Sequence, residues 1–300
     1  MMQAAPDKMV RFYTLPPSGV DWSYLLVNPS NCKVLFKHKF KHAILDCGVE
    51  TFKHNPDLKD YPEGFLERWK WKAKQLTEIF GERLFVTIPD YPDDFNPGQF
   101  GDNIAKTLEN IKDFIFVDGV NWLPSIQSRF LNRFSFLESC EKTKRIIGDY
   151  PRVAVGTVCK TNNLSFIEYC CKVTRKVFPK SRIHAFGLTL RALPKVKSAI
   201  NSFDSLAYSF PRKSGMGSCK NLSERQKFFH AYIERIKQIL GEDFDVAYVE
   251  NGYKVNLEEK NKCFHGSVAS ILRWSSSCSV TLTASPTFKR KTLSPSEEKG

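Results

Sequence analysis

The sequence lacks an apolar run of the roughly 18 residues needed to cross a bilayer. Its opening, MMQAAPDKMVRF, also lacks the apolar stretch of a secretion signal. The chain therefore reads as soluble and cytoplasmic, with no membrane partner. A disulfide framework is missing too. Nine cysteines are an odd number without repeated spacing, in a chain of 300 residues that is long enough to fold without covalent staples. Cys170 and Cys171 fall in a helical pattern and read as packing residues. No GxGxxG opens a helix, and GMGSC at residues 215–219 is not a P-loop, so nucleotide cofactors lack support. Cys263 and His265 form a close pair, with Cys219, His230 and Cys278 elsewhere in the same third of the chain. Two close ligands are not a zinc signature, and neither a metal nor another cofactor is expected.

Negative charge is also scarce: 45 Lys and Arg face 32 Asp and Glu, giving +13. The imbalance is regional, because residues 1–119 carry 15 basic and 17 acidic side chains whereas residues 120–204 carry 15 and 5. Such a field suits a polyanion, whose condensed counterions are released on binding, and equally suits a solvated surface.

Short β-branched or apolar runs alternate with longer segments of helical period. HAILDCG, RLFVTIPDY, NWLPSIQ, RVAVGTV, RIHAFGL and SFDSLAYSF read as strands, with WSYLLVN and the KVLF stretch as further candidates. Helices are expected over EGFLERWKWKAKQLTEIFGE, NIAKTLENIKDF, RFLNRFSFLESCEKTKRII, NLSFIEYCCKVTRKVF, LRALPKVKSAI and LSERQKFFHAYIERIKQIL. Asn163 or Ser165 is the expected cap of the fourth, and Ser223 of the last. This alternation predicts an α/β fold with a parallel sheet, a (β/α)8 TIM barrel first and an open doubly wound sheet second. The barrel is expected over residues 1–274, with a Ser- and Lys-rich tail over 275–300.

Polar or glycine residues end nearly every strand: Asp46, Asp90, Gln127, Gly156, Gly187 and Asp204. A carboxylate among apolar neighbours must be paired, capping or functional, because burying it alone costs several kcal/mol. Three at equivalent strand ends point to a shared pocket, since a barrel gathers its strand termini at one rim. His184, inside a strand, reads as a hydrogen-bonded core histidine.

The ordered motifs AILDCG, TIPDYPDD, NWLPSIQ, VAVGTV and IHAFGLTLRALPKVKSAINSFDSLAYSF resemble the tRNA-guanine transglycosylase superfamily, most closely its branch that installs deazapurines in DNA. The resemblance implies a (β/α)8 barrel that exchanges guanine in a polynucleotide for a 7-deazaguanine such as 7-cyano-7-deazaguanine. It implies Asp204 as nucleophile, Asp46 as acid/base, Asp90 and Gln127 as base readers, and Gly156 and Gly187 as pocket backbone. Arg212 and Lys213 are the expected phosphate contacts. DNA and a free 7-deazaguanine base are the implied partners, with tRNA or a noncatalytic nucleic-acid-binding barrel as alternatives. Two departures stand out: Val49 and Glu50 replace the family's second glycine and stacking phenylalanine, leaving Phe52 as the substitute, and the family's zinc-binding cysteine cluster is missing.

Overall fold

A computed structural model of the chain describes residues 8–49, 52, 53, 55–209 and 221–246. Arg212, Lys213, the GMGSC segment, the Cys263 and His265 pair and the proposed boundary at 274 lie outside the described residues.

Among the described residues there are nine short strands: β1 (Arg11–Tyr13), β2 (Tyr24–Val27), β3 (His42–Leu45), β4 (Leu84–Thr87), β5 (Trp122–Leu123), β6 (Ser125–Ile126), β7 (Arg152–Val155), β8 (Arg182–Ala185) and β9 (Ser202–Asp204). All their pairings are parallel, in the orders β2-β3-β4-β5 and β6-β7-β8-β9-β1. Two joints turn these rows into one closed barrel. Thr14 bridges Leu25, donating to the Tyr24 carbonyl at 3.1 Å and accepting from the Leu26 N–H at 3.0 Å, which links β1 to β2. At the other joint β5 and β6 are halves of a single extended segment, divided where Pro124 has no N–H to give a ladder. Its first half pairs with β4 and its second with β7, and the Pro124 carbonyl accepts from the Ala154 N–H at 2.8 Å. Counted this way, eight parallel strands close a (β/α)8 barrel.

Alternation along each strand sends one set of residues inward and the next outward. Ala43, Leu45, Leu84 and Val86 face outward onto Trp69, Ala73 and Leu76 of α1 (Phe65–Phe80), all fully buried. The Trp69 indole donates to the Thr87 carbonyl at 2.9 Å, fixing the helix against the end of β4. Helices α2 (Asn103–Phe114), α3 (Arg133–Ile147) and α4 (Leu164–Val177) continue the outer layer. Asp102, Asn132 and Asn163 cap them, each accepting a backbone N–H in the first turn. Cys170 and Cys171 are fully buried in α4.

Four local expectations need correction. KVLF is a 3-10 turn (Cys32–Phe36), because Asn31 starts a tight i to i+3 turn instead of an extended run. The eighth strand is RFY at 11–13, too short to carry its own periodicity. LRALPKVKSAI contracts to the single turn α5 (Leu193–Val196), opened by Pro194. The final helix, α6 (Leu222–Leu240), is capped by Asn221, whose side chain accepts from the Glu224 N–H at 2.9 Å, and not by Ser223.

Candidate active site

Asp46, Asp90, Gln127, Gly156, Gly187 and Asp204 all line one cavity of about 730 Å³ at the C-terminal ends of the strands. That volume suits a small molecule or a single nucleotide. Apolar side chains including Val49, Phe95, Phe186 and Leu190 form much of its wall.

Asp90 and Gln127 form one side. The Gln127 amide donates to Asp90 Oδ2 at 2.6 Å, and both residues are buried. Burial pushes the Asp90 carboxyl up to about 7; bonds from Gln127 and Ser125 pull it down, while the charges of Asp46 and Asp94 add to the rise. Gln127 Oε1 is buried and accepts no bond. An amide oxygen left bare in a cavity wall is an acceptor held ready for a ligand N–H.

Gly156 makes this pair possible. A Cβ there would overlap the Gln127 amide nitrogen and stand 2.9 Å from its Cδ and 3.3 Å from Asp90 Oδ2. Gly187 plays a second part, with φ of +60° and Cys159 so close that a Cβ would meet its Cα at 2.9 Å.

Across the cavity, Asp204 Oδ1 accepts from the Gly187 N–H at 2.9 Å and lies 3.2 Å from His184 Nε2. The other ring nitrogen of His184 is 3.0 Å from Ser202 Oγ. His184 is thus a buried, hydrogen-bonded core histidine as the sequence suggested, and its bond to Asp204 ties it to the site. Both bonds fall on Oδ1, and among the described residues Oδ2 receives none.

Asp46 is half-buried, its Oδ1 accepting from the Gly48 N–H at 3.2 Å in a tight turn. The neighbouring Cys47 thiol is held well above its ordinary range by burial and by the charges of Asp46 and Asp90, and burial raises Cys159 likewise. Thiols kept neutral are poor nucleophiles.

Sequence reasoning passed over Asp94, although TIPDYPDD displays it. Its neighbour Asp93 is structural, accepting from the Gly98 N–H at 2.6 Å and the Phe130 N–H at 2.8 Å. Asp94 instead lines the cavity, accepts from the Lys160 N–H at 3.1 Å and keeps Oδ1 buried without a bond. Burial raises its carboxyl to about 6. Phe52 is a further correction: it is buried against Tyr61, Tyr91 and Phe100, away from the cavity lining, where aromatic packing outcompetes exposure.

Carboxylates gathered at the C-terminal rim of a closed parallel barrel stand where (β/α)8 barrels assemble their active sites, and the fold is of that class. No family model and no curated protein matches it. Similar solved structures include the HMG-CoA lyase from Brucella melitensis, with 9% identity and a TM-score of 0.40, covering 74% of this chain and 88% of that one. Dihydrodipicolinate synthase from Thermotoga maritima gives 12% and 0.37 over 79% and 84%. The carboxyl transferase domain of Rhizobium etli pyruvate carboxylase gives 12% and 0.38 over 90% and 55%. None of these is a transglycosylase, and the resemblance to the tRNA-guanine transglycosylase superfamily is withdrawn as a family assignment. Its motifs are strand ends of a few residues, and acidic or glycine residues recur there in barrels generally because that rim hosts the chemistry.

No helix among the described residues is long and apolar enough to cross a membrane.

Proposed function

We propose that the chain exchanges a guanine base in DNA for a free 7-deazaguanine, by two displacements through a covalent intermediate on Asp204. The observation that carries this reading is the Asp90–Gln127 pair: a carboxyl beside an amide, stacked against a glycine backbone, with one bare acceptor. A guanine-type face offers two adjacent donors, N1–H and the exocyclic amine, next to the O6 acceptor. An ionised Asp90 accepts from the donors, Gln127 Oε1 adds an acceptor, and the second Gln127 N–H serves O6. Apolar walls accommodate the faces of a planar ring.

In the first displacement Asp204 Oδ2 attacks C1′ of the nucleotide. The C1′–N9 bond breaks, its electron pair goes to N9, and Asp46 supplies the proton for the departing guanine. The Gly187 N–H and His184 keep Asp204 Oδ1 in place while Oδ2 reacts. In the second displacement the incoming base gives its N9 proton to Asp46, N9 attacks C1′, and the Asp204 carboxylate leaves. One base departs and one enters, with no change in oxidation state. A base inside a duplex cannot reach such a pocket, so the target nucleotide is extruded from its stack. The positive balance of residues 120–204 favours a polyanionic substrate over a free sugar.

The test is incubation of the full chain with radiolabelled guanine or 7-cyano-7-deazaguanine and, separately, duplex DNA, single-stranded DNA and tRNA. Label entering DNA is expected. Label entering only tRNA replaces the substrate, and label in no polymer overturns the reading.

A further inference from the structure

We propose that the segment Arg129–Phe134, which follows Gln127 out of the cavity, is a wedge that enters the base stack of the bound nucleic acid. The proposal rests on the nucleic-acid reading above and adds the surface that would hold the strand open.

Large apolar side chains crowd this short segment: Phe134 is 88% exposed, Phe130 46% and Leu131 37%. An isolated exposed apolar side chain is ordinary, but three within five residues, on the loop and helix start that follow the cavity-lining Gln127, mark an interaction surface. Its backbone is fastened on every side. Ser128 Oγ lies 2.7 Å from Thr157 Oγ1, and the Ser128 carbonyl accepts from the Asn103 amide at 3.0 Å. The Phe130 N–H donates to Asp93 Oδ2 at 2.8 Å, and the Arg129 N–H to Ser135 Oγ at 3.0 Å. Leu131 has φ of +51°, the one residue other than glycine with positive φ among the described residues. Leucine is disfavoured there, where glycine or asparagine would relieve the strain, so the fold holds an apolar side chain at the tip against its own backbone preference.

Charge identifies the occupant. The charged side chains of the segment are Arg129 and Arg133; of the carboxylates beside it, Asp93 is taken up by the Phe130 N–H and Glu138 pairs with Lys142 at 2.7 Å. The Arg133 guanidinium is fixed over the Tyr169 ring at 5.1 Å and bonded to Ser165, and Lys160 lines the cavity itself. A partner with apolar planar faces inside and negative charge outside is a nucleic-acid strand. Apolar wedges between base steps compensate for lost stacking, while basic neighbours take the phosphates.

The test uses the full chain with fluorescein-labelled duplex DNA carrying 2-aminopurine beside guanines, read by anisotropy and by 2-aminopurine emission. Wild type is expected to bind and raise the emission. The double variant Phe130→Ala/Phe134→Ala should bind about 10- to 100-fold more weakly, lose the emission change and keep the same salt dependence. Arg129→Gln should instead lower the slope of log affinity against log salt by about one. Both substitutions are at exposed positions, and unchanged thermal melts and unchanged binding of free 7-deazaguanine confine the effect to the strand. Equal affinity and equal emission in the double variant overturn the wedge alone. So does a change in sedimentation behaviour with DNA binding intact, which would make the patch a contact between copies of the chain. Absence of binding by the wild type to both DNA and tRNA instead overturns the underlying nucleic-acid reading.

Discussion

At its C-terminal mouth the barrel interior carries Asp46, Asp90, Asp94 and Asp204; at its N-terminal end Arg11, Arg152 and Arg182 gather around Tyr13 and His42. Arg152 and Arg182 are register partners on neighbouring strands, so their side chains start from the same face. The basic end is offset in part by local contacts. Arg11 pairs with Asp245 at 3.0 Å and lies over Tyr24, and Arg152 lies 3.8 Å above the centre of the Phe85 ring. The acidic end is left partly uncompensated, and two of its carboxyls respond by holding their protons to higher pH. The contrast separates two uses of buried charge: the base of the barrel offsets it in part with aromatic faces and one carboxylate, whereas the mouth keeps its charge available to a ligand.

The sharpest way to break the contrast is Asp204→Asn. The amide keeps an oxygen for the Gly187 N–H, so thermal stability should hold within about 1 kcal/mol, while exchange in a single-turnover assay should fall by about 10³-fold or more. Retained turnover would remove Asp204 from the chemistry. Next in size is Gly156→Ala, whose methyl must displace the Gln127 amide. Calorimetry should show free-base affinity falling by about 10- to 100-fold, equal to loss of one or two buried hydrogen bonds; an unchanged Kd would mean the pair does not read the base.

Asp90 supplies a pH test. Base donors favour its ionised form, so binding should tighten as pH rises and level off above about 7, with roughly tenfold loss per pH unit below that. Asp90→Asn should flatten the profile. Stability has the opposite slope. A carboxyl at about 7 folded against 3.8 unfolded binds extra protons in the native state, so the penalty is absent below about pH 4, grows between the two values and reaches at most about 4 kcal/mol above pH 7. Urea titrations should therefore show Asp90→Asn stabilising at pH 8 and neutral at pH 3.5; equal effects at both would remove titration as the cause.

The smallest effect concerns the basic end. Burial, together with the charges of Arg182 and Arg11, lowers Arg152 to about 10. Arg152→Met retains the packing stem and removes the repulsion, with an expected gain of about 1 kcal/mol in urea unfolding. Destabilisation instead would show that contact with the Phe85 ring outweighs the repulsion.

The barrel was legible from the alternation of segments because strands and helices differ in period over long stretches such as Phe65–Phe80. The rim residues were legible for a related reason: Asp46, Asp90 and Asp204 each interrupt an apolar run, and strand termini converge whatever their separation in sequence. RFY at 11–13 was illegible because three residues carry no period, and KVLF misled because composition alone does not separate a tight turn from a strand. Phe52 was misplaced since nothing local says which wall of aromatic rings a loop side chain will join. The base of the barrel escaped notice altogether. Arg152 and Arg182 are 30 positions apart, and only their register brings them together.

The seam between β1 and β9 has a consequence in time. It pairs Tyr13 with Asp204, so the barrel stays open, with bare strand edges at both sides, until β9, the last strand among the described residues, has left the ribosome. Asp204 is at once the final stave and the residue proposed to react. A nascent chain therefore acquires its closed shape and the carboxylate proposed to react in one event, and every shorter intermediate carries bare strand edges.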